Sequence, residues 1–177
     1  MRQIAIGILG LLAGAGTGQA GEVRTVESAA VRWSEAADGG APQFGRHVLP
    51  LIGKLGCSNR ACHGSFQGQN GFRLSLFGSD PREDHKSLTE DQEGDGPRVN
   101  VKQPDASLAL YKPTHGDEHG GGERFEADSW QYRMLKAWIA AGAAFAPEKE
   151  ASIEKLEITP QELVIGVDQE PVQLRLR

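Results

Sequence analysis

The residues best suited to do chemistry lie together in one stretch, Cys57-Ser58-Asn59-Arg60-Ala61-Cys62-His63. Covalent haem attachment needs two thiols that add across the two vinyl groups of the macrocycle. It also needs an imidazole beside the second thioether, so that a ring nitrogen reaches the iron. Cys57, Cys62 and His63 supply that set, with His63 as the proximal ligand. The common attachment motif places two residues between the cysteines. Here Ser58, Asn59, Arg60 and Ala61 intervene, so the loop must bulge for both sulfurs to match the vinyls.

Three other chemistries use the same residue types. Two thiols in an oxidising compartment pair readily as a disulfide, but a Cys57–Cys62 bridge leaves His63 and the downstream histidines without a role. A tetrahedral zinc site from Cys57, Cys62, His63 and a further His asks adjacent residues to share one tetrahedron, an awkward geometry. A Cys–His nucleophile needs a supporting constellation, and none is visible. Carboxylates are plentiful, yet nothing pairs them for hydrolysis, so the chain does not read as an enzyme.

A sixth iron ligand has five candidates: His119, His115, His85, His47 and Met134. His119 comes first, because Gly120, Gly121 and Gly122 follow it and backbone without Cβ atoms can approach a flat cofactor closely. His115 is the second choice. His47 and His85 read as solvated surface residues. Met134 lies on a helical apolar stripe with Trp138, where Met more often fills a core.

These residues need elements to hold them. Phe44, Val48, Leu51 and Leu55 recur at helical spacing, which predicts an amphipathic helix over 43–55. Pro50 splits it or starts it late, and Gly56 stands where a helix-ending glycine would. The clearest helix follows a cap at Asp128 or Ser129, with Met134 and Trp138 on one stripe, Leu135 and Ile139 on the next, and Gly142 closing it. Between these helices the chain reads as loop-rich. Phe72, Leu74, Leu76 and Phe77 form a short apolar patch, Asp80 to Glu83 a turn or helix start, Glu90 to Gly96 a solvated acidic loop, and Leu108 with Leu110 a short helix or turn. A helical domain over 43–146 results. The helix from Phe44 to Leu55 is expected to cross the later one through Phe44, Val48, Leu135, Trp138 and Ile139.

The flanks differ. Residues 1–20 read as a signal peptide: Arg2 supplies the positive region, Ile4 to Ala15 an apolar run too short to span a bilayer, and Gly18 and Ala20 the small residues of a cleavage site. Export to a periplasm or cell surface is therefore expected, with no transmembrane segment in the mature chain. Residues 21–42 read as a disordered lead-in. Residues 147–154 read as a linker. Residues 155–177 alternate apolar and polar side chains, as strands do, and are too few for a complete sandwich; the chain reads as the front of something longer. The net charge of −5 and the lack of a basic stripe argue against nucleic-acid binding. Only 6% of residues are aromatic, so a large apolar cofactor would add much to the core.

The stretch Leu55 to Gly64, the segment Asn70 to Leu76, the run Ser107 to Pro113, the loop His119 to Gly122 and the segment Trp138 to Ala143 together resemble the planctomycete-type cytochrome c domain of large exported proteins, over roughly residues 43–146. Residues 153–177 are similar to the opening strands of a bacterial Ig-like group 2 domain. The resemblance implies a mainly α, small cytochrome c-like fold around one covalent haem c, followed by a short β segment, with the loop at His119 facing the haem. It also implies a redox partner protein or neighbouring domain. Electron transfer is the leading expectation. A haem-based ligand sensor and a non-haem adhesion or structural module with a Cys57–Cys62 disulfide are the alternatives.

Overall fold

The computed structural model describes residues 27–35, 38–90, 97–150, 155–164, 166 and 172–176. The signal-peptide expectation lies outside them, as do residues 91–96 of the acidic loop and 151–154 of the linker. The fold is mainly helical. Its helices are α1 (Ala29–Arg32), α2 (Leu49–Lys54), α3 (Pro81–Thr89), α4 (Leu108–Thr114) and α5 (Trp130–Ala140), joined by loops and single 3₁₀ turns. Among the described residues no helix is long and apolar enough to cross a membrane.

The expected break at Pro50 has a specific form. Phe44–Val48 make one π-helical turn that runs directly into α2. The Val48 N–H bonds back five residues to the Gln43 carbonyl at 3.3 Å. This wide turn places Pro50 in the first turn of α2, where a missing N–H leaves no gap in the helix. Helix α2 ends in a Schellman motif. The Cys57 N–H bonds the Ile52 carbonyl at 3.1 Å, the Gly56 N–H bonds Gly53 at 3.0 Å, and Gly56 takes φ +78°, a conformation that favours glycine. Helix α5 starts at a Ser129 cap that accepts from the Tyr132 N–H and ends the same way at Gly142, with Ala143 bonded back to Trp138 at 3.0 Å. Of the turn or helix start expected at Asp80, the second is found: α3 starts there. Asp80 caps it by accepting from the Glu83 N–H, and Pro81 opens it. Asp84 on α3 is fully buried and accepts from the Ser75 N–H and hydroxyl, which fastens α3 to the segment before it.

The crossing expected between the two main helical segments is present. Phe44, Val48, Leu135, Trp138 and Ile139 are all buried in one cluster, joined by Ile52, Leu88 and Leu110. The Phe44 and Trp138 ring centroids are 5.4 Å apart. Met134 faces away from this cluster, into a smaller one with Trp33 and Leu51. That cluster draws in part of the stretch expected as a disordered lead-in: Ala29–Arg32 form a helical turn and Trp33 is buried. A lone Trp in a polar stretch carries no periodicity, so its burial is not evident from sequence. At the other end, Ile158–Thr159 pair antiparallel with Arg175–Leu176, within the segment read as strand-like.

His47 and His85 are not solvated surface residues. The His85 Nε2–H donates to the Ala143 carbonyl at 2.7 Å, and its ring packs edge-on against Phe44, so it ties α3 to the end of α5. His47 packs edge-on against Trp33, and its Nδ1 accepts from the Gln43 N–H at 2.9 Å. Burial, with help from Arg32 and Arg46, lowers the His47 pKa. A histidine depressed in the fold contributes stability above its unfolded pKa of about 6.5, which is lost as pH falls through the folded value. Urea midpoints are therefore expected to fall from pH 7 to pH 5, and to fall less in His47→Gln. Equal slopes in the two proteins would contradict this.

Candidate functional site

The Schellman ending of α2 delivers Cys57 to the head of the motif loop. Asn59 organises the rest of that loop. Its side chain accepts from the Ala61 N–H at 3.1 Å, and its carbonyl accepts from Cys62 at 3.1 Å and Gly64 at 3.0 Å. The His63 N–H returns to the Cys57 carbonyl at 2.9 Å, so the extra residues coil within the loop and leave its ends together. Gly64 lies against this coil. A Cβ there would stand 2.0 Å from the Ser58 carbonyl oxygen. Backbone on both sides leaves no flexible side chain to yield, and overpacking of this kind costs about 1–3 kcal/mol. Gly64→Ala is expected to lower stability by that amount in urea unfolding. An unchanged midpoint would contradict the geometry.

His63 is aimed by the next segment. Asn70 and Gly71 both take positive φ, 50° and 67°, and Gln69 and Phe72 exchange backbone hydrogen bonds at 3.0 Å. This is the tight Asn-Gly turn of a hairpin. The Phe72 carbonyl then accepts from His63 Nδ1–H at 3.1 Å, with the two rings 4.6 Å apart. Opposite, His119 Nδ1–H donates to the Gly122 carbonyl at 2.8 Å. A carbonyl only accepts, so in each neutral ring the proton sits on Nδ1 and Nε2 keeps a free lone pair. Backbone carbonyls commonly set metal-binding histidines in this way. Burial lowers the His63 pKa, which favours the neutral, ligating form.

The two imidazoles are a near-parallel, stacked pair, with centroids 6.2 Å apart and ring planes within 12°. A metal–imidazole bond spans about 2 Å and the ring nitrogen lies about 1 Å from its centroid, so one iron between two imidazoles separates the centroids by about 6 Å. Both rings line a cavity of about 380 Å³, a size typical of small-molecule sites. Its wall is mostly apolar, with Ile52, Leu55, Leu74, Leu88 and Leu135 among its residues, and Cys57 lines it too. The residues present therefore fit a flat, apolar, iron-centred group.

Cys62 is placed differently. It is half-buried and does not line the cavity, and the Arg124 guanidinium lies 3.8 Å from its sulfur. Both cysteines are free thiols. Burial pushes the Cys57 thiol up in pKa, partly offset by Arg124.

The structure separates the remaining ligand candidates. His115, the second choice, is exposed, stacks on Tyr111 at 3.9 Å and donates from Nδ1 to the Tyr111 carbonyl. His47, His85 and Met134 are engaged in packing away from the cavity. Among the described residues no three His, Cys, Asp or Glu side chains are grouped to hold a metal ion, so the tetrahedral set considered from the motif is not assembled. Among the lining residues that escape the sequence reading are Arg98 and Lys112; isolated cations carry no pattern that marks them. The hairpin that aims His63 has a legible signal in Asn70-Gly71. No protein-family model, curated protein or solved structure matches this chain.

Proposed function

We propose that this chain is a covalent haem c-binding electron-transfer module of an exported protein. The pair of His63 and His119, both lining one cavity, each with Nδ1 committed to a carbonyl and with ring centroids 6.2 Å apart, carries the proposal. Bound haem supplies a one-electron ferric–ferrous couple. The protein's part is to hold and shield it. The Phe72 and Gly122 carbonyls fix both imidazoles in the ligating tautomer. The apolar wall limits water at the site and supplies dispersion contacts. Cys57 already faces the cavity, whereas attachment through Cys62 requires its sulfur to leave Arg124 and turn inward.

With His119 opposite His63, the sixth position has a side-chain occupant, which favours an electron carrier over a gas sensor. The free thiols favour either haem reading over the disulfide-bonded adhesion module. A redox partner protein or a neighbouring domain is then the recipient of the electron.

A haem stain on a denaturing gel tests the proposal, using chain exported in a host with a cytochrome c assembly system. Covalent haem stays with the polypeptide, and Cys57→Ala with Cys62→Ala abolishes the signal. No stain on the exported wild-type chain would defeat the proposal.

A further inference from the structure

Two aromatic rings stand in solvent beside the motif loop. Phe66 is 89% exposed and Phe77 is 74% exposed. The Phe77 N–H donates to the Ser58 carbonyl at 2.9 Å, and the Leu74 N–H donates to the His63 carbonyl at 2.8 Å. The segment leading to Phe77 therefore runs along the loop that carries Cys57 and His63. Phe66 lies just beyond His63 and Gly64, and the Arg73 guanidinium is 5.7 Å from its ring centre. A single exposed apolar side chain needs no explanation. Two rings bordering one loop, one of them on strained backbone, do.

The strain is at Phe77. Its backbone takes φ 56° and ψ 25°, the left-handed region that a bulky side chain rarely occupies. Neighbouring groups hold it there. The buried Asp84 carboxylate accepts from the Ser75 N–H and hydroxyl, and the Ser75 hydroxyl oxygen accepts from the Asp80 N–H at 2.9 Å. The Gly78 N–H closes the turn on the Ser75 carbonyl at 3.2 Å. Folding gains nothing from a strained residue whose ring is in water. Binding does gain, because a ring fixed in advance enters a partner's pocket with little further loss of freedom. Strained residues cluster where function uses them.

Charge indicates the partner. From Gly39 to Ser79 the sequence has no Asp or Glu, yet Arg46, Lys54, Arg60 and Arg73 fall within it, in a chain of net charge −5. Arg60, in the motif loop, and Arg73, over Phe66, are both exposed. Of the carboxylates that follow, Asp80 caps α3, Asp84 is buried, and Glu83 is exposed next to Arg82. We infer that Phe66 and Phe77, with Arg60 and Arg73, form the docking face for a redox partner protein whose matching surface is acidic. A partner seated there lies against the loop that carries the proposed attachment residues. The inference rests on the haem reading for what crosses the face; the face itself rests on the protein's own groups.

The probe is a reduced flavodoxin, a small acidic flavoprotein, mixed in stopped flow with the full haem-loaded chain. Both proteins carry net negative charge, so repulsion between whole molecules makes haem reduction faster as salt rises. Attraction at a local basic face makes it slower. The second-order rate constant is expected to fall by about tenfold between about 10 mM and about 150 mM ionic strength. At low salt, Phe66→Ser with Phe77→Ser, and separately Arg60→Glu with Arg73→Glu, should each lower it by about tenfold. Val31→Ser, which alters an exposed apolar residue on α1, should match the wild type.

Phe77→Gly gives a readout that a merely structural role would not. Glycine takes positive φ freely, so the urea midpoint should hold or rise while the rate constant falls. A rate constant that rises with salt, or aromatic variants that are reduced as fast as the wild type, overturns the face. Binding to anionic phospholipid vesicles that is lost in the Phe66→Ser, Phe77→Ser protein assigns the face to a membrane and also overturns the inference. A wild-type chain that carries no haem overturns the cofactor reading. Calorimetric titration of flavodoxin into that exported chain then still reads the face: binding that both double variants lose retains it, and no binding overturns it.

Discussion

Replacing His119 by Ala is expected to open the sixth iron position, so that reduced protein takes up one equivalent of carbon monoxide where the wild type takes up none. The geometry gives the reason. The His119 ring lies 6.2 Å from that of His63 with near-parallel planes, and its Nδ1–H is committed to Gly122, which leaves the Nε2 lone pair available to ligate. Loaded wild-type protein should be low-spin in both oxidation states, with the rhombic ferric resonance of near-parallel axial imidazoles. The alanine variant should be high-spin when ferric. His115→Ala should match the wild type, because that ring is held on Tyr111. His119→Met should raise the midpoint potential, since thioether ligation favours the ferrous iron. Carbon monoxide binding by the wild type at full occupancy would remove His119 from the iron and revive the sensor reading.

The second large effect is on stability. A chain with Cys57→Ala and Cys62→Ala, recovered without haem, is expected to unfold at least about 15 °C below the loaded wild type, or to lose a cooperative transition. Unfilled apolar cavities destabilise by about 24 cal/mol per Å³. For about 380 Å³ that slope gives about 9 kcal/mol as an upper bound, because the cleft is open to water. A domain's whole stability is about 5–15 kcal/mol, and about 3 kcal/mol already shifts the midpoint of a domain this small by roughly 12–24 °C. Circular dichroism melts of the two proteins check this. Coincident melts would mean that the leucine-lined cavity contributes nothing to folding when filled.

The parts of the fold legible in the sequence are those with a period or a punctuating residue. Phe44 and Val48 on one side, and Leu135, Trp138 and Ile139 on the other, lie on helical stripes and pack together as expected, whereas Leu51 of the first stripe packs in the smaller cluster. Gly56 and Gly142 mark the helix ends by the positive φ that each adopts. The π turn before Pro50 is not legible, because it is a response of the backbone to a proline and not a pattern of side chains. The burial of Trp33 and the edge-on packing of His47 and His85 depend on partners far along the chain. The site divides the same way. Cys57 and His63, singled out by the spacing of the motif, line the cavity, whereas Cys62 of the same motif does not. His119 ranks first among the distal candidates because of its glycines; Gly120 lines the cavity beside it, and the next two shape the ring's position. Gly122 supplies the carbonyl that orients the ring, and a Cβ on Gly121 would stand 2.9 Å from the His119 ring. Arg98, Lys112 and the Arg124–Cys62 contact arise where separate loops meet, and no local pattern announces them.

Intact mass of the exported chain, matured in a host that assembles c-type cytochromes, tests the central claim most directly. A gain of one haem per polypeptide that survives denaturation, and disappears with Cys57→Ala and Cys62→Ala, is the predicted result. A colourless chain lighter by two hydrogens, its two sulfurs joined to each other, would contradict it.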